Sequence, residues 1–189
     1  MKVIQLHQEE KQLIMLAIEN DRQAQQQIYT KFSSKMLSVC RQYIKDIHHA
    51  EDVMITGFMK VFTNLKNFEN KGSFEGWIRR IIIYECIDFI RVKRNNFNHQ
   101  DINDVTISEN ESVYEMEDFS VDDIQNMIDN LPDGYKMVFN LYAIEGYKHQ
   151  EIAEMLKINV GTSKSQLSHA RKLLQQQIIE LKNKLNGTT

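Results

Sequence analysis

Proline and glycine are scarce in this chain of 189 residues, which contains one Pro and seven Gly. These residue types supply most of the turns that sheet-rich proteins need, so their scarcity favours an all-α fold. Cysteine is also rare, because only Cys40 and Cys86 are present and they form no C-x-x-C motif. Two such distant cysteines do not make a disulfide framework, and we expect both to fill core space in a reducing compartment.

Long apolar runs are absent too. No stretch of the sequence approaches the roughly 18 apolar residues of a membrane-spanning helix. The opening residues, MKVIQLHQEEK, contain no apolar run of the length that a signal peptide requires. We therefore expect a soluble, cytoplasmic protein without membrane insertion.

Positive charge is not in overall excess, since the net charge is −3, but the charges are unevenly distributed. Residues 1–94 hold 15 Lys and Arg against 11 Asp and Glu, and residues 131–189 hold 8 against 5. Residues 95–130 hold 10 Asp and Glu and no Lys or Arg. Because residues 95–119 also lack an apolar period, they are predicted to form a flexible tether, either solvated or seated in a positively charged channel of a partner.

Apolar residues at helical spacing dominate the chain on both sides of this tether. Four helices joined by short loops are predicted before it, and Ser73 is the predicted N-cap of the fourth. The clearest buried stripe consists of Ile28, Phe32, Met36, Val39 and Tyr43. The stripe predicted for the first helix consists of Leu13, Leu16 and Ala17.

After the tether, Ser120 is predicted to cap a short helix whose first turn carries two acidic residues. Pro132 marks the start of the next helix, and Gly146 marks its end. The sequence HQEIAEMLKINVGTSKSQLSHARKLL (149–174) then shows a helical pattern that stalls over KIN and restarts. Two helices joined by so short a turn are typical of the helix-turn-helix.

The second helix of this pair has two chemically distinct sides. Its buried stripe is predicted to be Ser163, Leu167, Ala170 and Leu174. The other side is either an ordinary solvated surface or a DNA-reading face, because short polar groups reach base edges and cations bind phosphate. The absence of Asp and Glu from 155 to 179 favours DNA. The predicted DNA-binding residues are Thr162, Lys164, Ser165, Gln166, Ser168, His169, Arg171 and Lys172.

The segment LPDGYKMVFNLYAIEGYKHQEIAEMLKINVGTSKSQLSHARKLL resembles the promoter-reading C-terminal domain of bacterial sigma-70 family sigma factors, in particular the two-domain extracytoplasmic-function group. HHAEDVMITGFMKVFTNLKNF and GSFEGWIRRIIIYECIDFIR resemble the other domain of that group. The resemblance implies a dissociable factor that binds core RNA polymerase, recognises promoter DNA with both domains and assists its melting. An anti-sigma factor is a common further partner in the family, although no residue of this sequence identifies one.

The resemblance also implies roles for residues of the first domain. The helix that begins Ala50-Glu51-Asp52 matches the part of these factors that grips the polymerase clamp. The implied polymerase-binding residues are Asp52, Ile55, Thr56, Phe58 and Lys60. Ile55 and Thr56 stand where the family usually has Gln and an acid, so we expect a grip that is either more apolar or weaker than is typical of the family.

A second set of residues matches the part of the family that engages the promoter near the start site. An unstacked base is held there by the loop before the fourth helix, here residues 66–73. Cations on that helix are expected either to bind phosphate or to remain solvated, and Trp77 either contacts DNA or packs in the core. The candidates are Phe68, Asn70, Lys71, Trp77, Arg79, Arg80, Arg91, Lys93 and Arg94.

The sequence contains no glycine-rich phosphate loop, no Glu-x-x-His pair and no nucleophile with a base at diagnostic spacing. Adjacent His48 and His49 face different sides of a helix, which disfavours a metal site. We therefore expect no catalytic residue, no cofactor and no metal.

The expected organisation follows the family's order. Residues 1–94 form the domain for the clamp and the start-proximal element, residues 95–122 an acidic linker, and residues 123–189 the helix-turn-helix domain for the upstream element. Two other functions fit the same sequence. One is a stand-alone helix-turn-helix regulator, and the other is a polymerase-binding protein that does not read DNA.

Overall fold

The computed structural model describes the backbone of residues 2–96 and 119–185, and the side chains of residues 9–93 and 119–184. Most of the predicted tether lies outside these ranges. The chain divides into two compact units, Met1–Phe89 and Ile90–Thr189. All regular structure in the described ranges is helical, which confirms the all-α class.

Four long helices make up the first part of the chain, as predicted. They are α1 (Lys2–Ile18), α2 (Arg22–Tyr43), α3 (Ile47–Thr63) and α4 (Phe74–Asn96), with a short 3-10 turn at Leu65–Asn67. The second part contains α5 (Val121–Asp129), α6 (Asp133–Phe139), a π-helical turn (Asn140–Ile144), α7 (His149–Leu156) and α8 (Val160–Leu185).

Short polar side chains begin three of the four long helices. Asp21 accepts a hydrogen bond from the Ala24 N–H (2.7 Å), and Asp46 accepts one from the His49 N–H (2.9 Å). The second bond stabilises the carboxylate and so lowers the pKa of Asp46. At α4 the Ser73 hydroxyl accepts from the N–H of the third helical residue (3.0 Å), so the predicted cap is present.

The core of the first unit is almost entirely apolar. Every residue of the stripe predicted for α2 is buried. Among the α1 residues whose side chains are described, Ile14 and Ala17 are buried, whereas Leu16 is 43% exposed, so the stripe predicted for α1 is wrong at Leu16. Because all six residues of LIMLAI are apolar, several sides of this helix could be buried. Packing against α2 buries the side that contains Ile14.

Helices α3 and α4 approach each other closely at Gly57. A Cβ atom at this position would collide with the side chain of Ile82, which is itself fully buried. At the start of α4 the rings of Phe68, Phe74 and Trp77 form an aromatic cluster, with Phe68 and Trp77 centroids 5.5 Å apart. These contacts hold the loop between α3 and α4 against the start of α4.

The second unit mixes apolar and polar groups in its core. Val138, Leu141 and Ile152 are fully buried among the residues of α6, α7 and the π-helical turn. Lys136 and Asp129 are also buried, and their charged groups lie 3.8 Å apart. The ion pair therefore connects α6 to the end of α5.

One predicted helix is interrupted in the structure. The sequence predicts a continuous helix up to Gly146, but the chain widens into a π-helical turn after Phe139. There the Glu145 N–H donates to the Asn140 carbonyl, five residues earlier (3.0 Å). Such turns occur frequently at functional sites. Within the described ranges, no helix is long and apolar enough to cross a membrane.

Candidate nucleic-acid interface

Helices α7 and α8 form the predicted helix-turn-helix. Helix α7 ends when Lys157 adopts the left-handed conformation (φ 56°, ψ 46°). The Ile158 N–H then donates to the Ala153 carbonyl (3.0 Å), which closes the end of the helix. Helix α8 starts at Val160, so the turn consists of the three residues that the sequence pattern indicates.

A hydrogen bond joins the two helices of the motif at their starts. His149 Nδ1 lies 2.9 Å from the hydroxyl oxygen of Ser163, whose side chain is fully buried. This contact explains why the otherwise apolar stripe of α8 contains a serine. The start of α7 is also fastened by Glu151, whose carboxylate accepts from the Lys148 N–H (2.7 Å).

Tyr142, in the π-helical turn, contacts both His149 of this hydrogen bond and the exposed residue Arg171. Its ring stacks on the imidazole of His149 with a centroid distance of 4.7 Å, and the guanidinium of Arg171 lies 5.7 Å from its centroid. Desolvation lowers the pKa of His149, and the positive charges of Lys164 and Arg171 lower it further. Both causes favour the neutral imidazole over a further positive charge beside the cations of α8.

The predicted DNA-binding residues of α8 divide into two groups by exposure. Four are exposed, and they are Lys164, Ser165, Ser168 and Arg171. The other four are half-buried, and they are Thr162, Gln166, His169 and Lys172. The start of α6 covers this second edge, because the His169 ring stacks on Tyr135 with centroids 5.4 Å apart and the amide of Gln166 lies beside Gly134.

The outer face of α3 carries most of the candidate polymerase-binding residues. Asp52, Ile55, Thr56 and Lys60 are exposed, and the Lys60 ammonium forms an ion pair with Glu85 of α4. Phe58 was expected to contact the polymerase, but only 2% of it is exposed. Its ring packs edge-on against Tyr29. It therefore supports the helix from beneath rather than offering a contact surface.

Sequence reasoning missed one residue on this face. Met59 is 65% exposed and follows Ile55, which is 49% exposed, by one helical turn. Together they place a contiguous apolar strip on the outside of α3. The four-residue spacing from Ile55 is the signal that could have identified Met59.

The start-proximal candidates occupy the loop between α3 and α4 and the surface of α4. Phe68 and Trp77 are half-buried in the aromatic cluster, whereas Asn70 and Lys71 are exposed. On α4, Arg79 and Arg91 are half-buried and Arg80 and Lys93 are exposed. Only the backbone of Arg94 is among the described atoms.

Two family models match the chain. "Sigma-70 region 2" matches residues 28–96, and "Sigma-70, region 4" matches residues 121–174. Together they cover about two thirds of the chain, in the order that the sequence motifs indicate. The first match begins within α2 and runs to the end of α4, and the second ends within α8, at the last residue of the segment 149–174 that contains the helix-turn-helix.

Relatives of known function match over most of their length. The chain is 29% identical to the ECF RNA polymerase sigma factor SigW of Bacillus subtilis, over 85% of this chain and 92% of the relative. It is 23% identical to the ECF RNA polymerase sigma-E factor of Haemophilus influenzae, over 85% of this chain and 90% of the relative.

Solved structures share the fold. The sigma factor RpoE of Bartonella quintana, crystallised with the anti-sigma factor NepR, matches with a TM-score of 0.54 and 21% identity, over 81% of this chain and 95% of RpoE. CnrH, in complex with the cytosolic domain of CnrY, matches with a TM-score of 0.52 and 19% identity, over 90% of this chain and 97% of CnrH.

These matches and the two-unit helical fold define a class of protein, the bacterial transcription initiation factors that bind DNA through a helix-turn-helix. The chain belongs to the sigma-70 family, in its extracytoplasmic-function group. It is a dissociable RNA polymerase sigma factor that acts in transcription initiation.

Proposed function

We propose that the two parts of this sigma factor divide promoter recognition between them. Residues 1–94 bind the polymerase clamp and the start-proximal element, and residues 123–189 bind the upstream element, with residues 95–122 as an acidic linker. The observation that carries this proposal is the exposed face of residues 160–174 of α8, which combines two cations and two hydroxyls and contains no acid. Such a face matches the major groove of duplex DNA.

The clamp is gripped by the outer face of α3. Asp52 and Thr56 supply polar contacts, and Ile55 with Met59 supplies an apolar strip that a partner surface can bury. Lys60 contributes less to clamp binding than an unpaired lysine would, because Glu85 already pairs with its ammonium group. Phe58 acts from the core by holding α3 in place.

Start-proximal recognition uses the loop and the cations of α4. Phe68, Asn70 and Lys71 hold an unstacked base, which compensates the cost of a few kcal/mol for removing it from the stack. Trp77 supports that loop through its contact with Phe68. The positive charges of Arg79, Arg80, Arg91, Lys93 and Arg94 bind the DNA backbone without reading its sequence.

Upstream recognition uses α8 in the major groove. Ser165 and Ser168 lie on its most open face and contact base edges, while Gln166, His169 and Thr162 contribute from the edge that α6 partly covers. Lys164, Lys172 and Arg171 bind phosphates. Tyr142 restricts the guanidinium of Arg171, so less conformational entropy is lost when that contact forms.

The chain is proposed to contribute no catalysis, since the polymerase makes the RNA. It acts in the cytoplasm, where its partners are core RNA polymerase and promoter DNA. An anti-sigma factor is a further proposed partner, because the structural neighbours RpoE and CnrH were each solved in complex with another protein, in the first case an anti-sigma factor.

Transcription reconstituted with core polymerase tests the proposal. Lys164→Ala with Arg171→Ala is expected to abolish use of a promoter that needs its upstream element. The salt dependence of promoter binding should also weaken, by about 0.9 in the logarithmic slope for each lost phosphate contact. Lys182→Ala with Lys184→Ala is the matched control, because it removes two cations from the same helix beyond the motif.

The same experiment separates the other two functions. Unchanged transcription in the Lys164 and Arg171 double variant would support a polymerase-binding protein that does not read DNA. Tight, sequence-specific duplex binding by the free chain, without activation of core polymerase, would support a stand-alone regulator. Either result would contradict the proposal.

A further inference from the structure

Two residues at the start of α6 contact the half-buried edge of α8. The Tyr135 ring stacks on the imidazole of His169 with a centroid distance of 5.4 Å and an interplanar angle of 13°. One residue earlier, a Cβ atom on Gly134 would lie only 3.3 Å from the amide nitrogen of Gln166. His169 and Gln166 are both proposed to read base edges, so α6 contacts side chains whose orientation matters for promoter recognition.

Helix α6 is a fixed platform for these contacts. The residue after Tyr135 is Lys136, which is buried and whose ammonium lies 3.8 Å from a carboxylate oxygen of the buried Asp129. Val138 of the same helix is completely buried as well. Because closely packed cores hold their side chains in one arrangement, the backbone that carries Tyr135 is held in place beside α8.

The stack on Tyr135 restricts how His169 can form hydrogen bonds. Both nitrogens of an imidazole lie in the plane of the ring, so the orientation of that plane sets the directions in which the side chain can bond. Nearly parallel rings at this centroid distance are offset-stacked, and their attraction opposes rotation of either ring. His169 therefore has fewer orientations than a free side chain, and it loses less conformational entropy when it contacts a base.

This restriction affects the choice of base more than the total affinity for DNA. A mobile side chain can turn to satisfy a second base, whereas a ring held in one plane leaves the wrong base with an unpaired polar group. The phosphate contacts proposed for Lys164 and Arg171 supply affinity that does not depend on sequence. Loss of the stack should therefore alter base preference while the phosphate contribution remains.

Gly134 leaves room for the second of these side chains. The three terminal amide atoms of Gln166 lie 3.3–3.7 Å from the position that a Cβ atom on Gly134 would occupy. Gly134 lies within α6 and is not among the glycines with positive φ, so space rather than backbone conformation favours a glycine at this position. A larger residue would displace the amide from the start of α6.

We propose that Tyr135 and Gly134 are positioning residues that determine specificity. From the start of α6 they orient His169 and Gln166, and they thereby decide which bases of the upstream element this sigma factor accepts. The inference rests on the proposed upstream function and names residues outside α8 that set its specificity. Neither residue needs to touch DNA for this role.

The experiment uses holoenzyme reconstituted from the full chain and core polymerase. Promoters with every single base-pair substitution in the upstream element are compared by their rates of open-complex formation. His169→Ala identifies the position that His169 reads, where the wild type should prefer one base pair by about tenfold, a typical effect of one mismatch. Tyr135→Leu should reduce this preference to about threefold or less at that position, because the imidazole can then turn.

Three further variants distinguish positioning from a general effect on the fold. Tyr135→Phe keeps the aromatic face, so its base preferences should equal those of the wild type within about twofold. Tyr135→Leu with His169→Ala should behave as His169→Ala alone, since Tyr135 acts through the imidazole. Tyr142→Leu removes the ring beside Arg171 and should weaken all promoters alike, without a change in base order. Circular dichroism establishes that each variant folds, and Tyr135→Met replaces Tyr135→Leu if the latter does not.

Gly134→Ala tests the second contact. Gln166→Ala identifies the position that Gln166 reads, and Gly134→Ala should reduce the preference there by about twofold to threefold, because the new methyl group displaces the amide. Alanine is the better helix former, so the same change should not lower the thermal midpoint of unfolding. An unchanged preference at that position would overturn the role of Gly134.

The remaining outcomes separate the positioning role from the proposed function. A Tyr135→Leu profile within twofold of the wild type at every position, with promoter-dependent initiation retained, would overturn the role of Tyr135 and leave the proposed function standing. An equal loss of rate on every promoter would also overturn it, since the ring would then only stabilise the fold. A wild-type holoenzyme without base preference at any upstream position would overturn the proposed upstream function and this inference together.

Discussion

The two units of this sigma factor bury different kinds of side chain. Among the described residues of the first unit, the buried side chains are aliphatic, aromatic or sulfur-containing, with Glu85 at the margin. In the second unit Asp129, Lys136, Asn140 and Ser163 are all buried. Long helices bury enough apolar surface for close packing to set their positions. Three helices of the second unit, α5, α6 and α7, are short and bury less, and directional polar contacts fix how they meet.

The largest expected effect comes from breaking the buried ion pair of the second unit. Lys136→Met leaves the Asp129 carboxylate buried without its cation, which should cost about 3–5 kcal/mol. Chemical denaturation followed by far-UV circular dichroism measures this loss. Trp77, the chain's single tryptophan, lies in the first unit, so its fluorescence midpoint should stay unchanged.

A double variant provides the control for this prediction. Lys136→Met with Asp129→Leu removes both charges, and its stability should return to within about 1 kcal/mol of the parent or exceed it. If the single and double variants lost equal stability, the ion pair would not be the reason for the effect.

An added side chain at Gly57 tests the close packing of the first unit. Gly57→Val should destabilise that unit by about 1–3 kcal/mol, because the new methyl groups meet the buried side chain of Ile82. Trp77 fluorescence during denaturation reports this change directly. An unchanged fluorescence midpoint would show that α4 can move away from α3 at little cost.

The opposite sign is expected at Gly161, in the first turn of α8. A Cβ atom added there meets no heavy atom within 4 Å. Gly161→Ala should therefore stabilise the second unit by about 0.5 kcal/mol, because it reduces the freedom of the unfolded chain. The gain should appear in the circular dichroism transition and not in Trp77 fluorescence. A loss of stability would contradict the prediction, because it would mean that the added methyl group collides with a neighbouring atom.

The smallest expected effect is the pH dependence caused by His149. Its pKa is lowered in the folded state, so protonation favours the unfolded chain. The contribution of His149 to stability is thus complete above its unfolded pKa of about 6.5 and declines as pH falls below that value. Nuclear magnetic resonance titration should give a pKa below 6.5, and Lys164→Ala should raise it. A pKa at or above 6.5 in the parent would contradict this account.

Local sequence features were sufficient for much of the fold. The start and end of α7, the three-residue turn and the start of α8 all follow from apolar spacing. Ser73 and Ser120 cap helices as expected, because an N-cap interacts with residues only two or three positions away. The buried stripe of α2 was equally predictable, since its apolar residues leave a single continuous face.

Contacts between distant residues were not predictable in the same way. The partnership of Glu10 with Lys31 spans 21 positions and depends on how α1 lies against α2. The burial of Phe58 and the contact of His169 with Tyr135 likewise depend on neighbouring helices. The π-helical turn has no periodic signature that distinguishes it from a regular helix.

Apolar spacing, caps and charge segregation along the chain were enough to establish the helices, their order and the motif that reads DNA. Each of these features depends on residues that are close together in the sequence, so the sequence alone is enough to identify it. The side chains that stay available to a partner were settled by packing. Phe58 is withdrawn into the core, one edge of α8 is covered by α6, and a cavity opens where α1, α2 and the loop meet. Each of these outcomes depends on which helix surfaces pack against each other and so lose contact with water. That pairing of surfaces exists only once the helices have assembled.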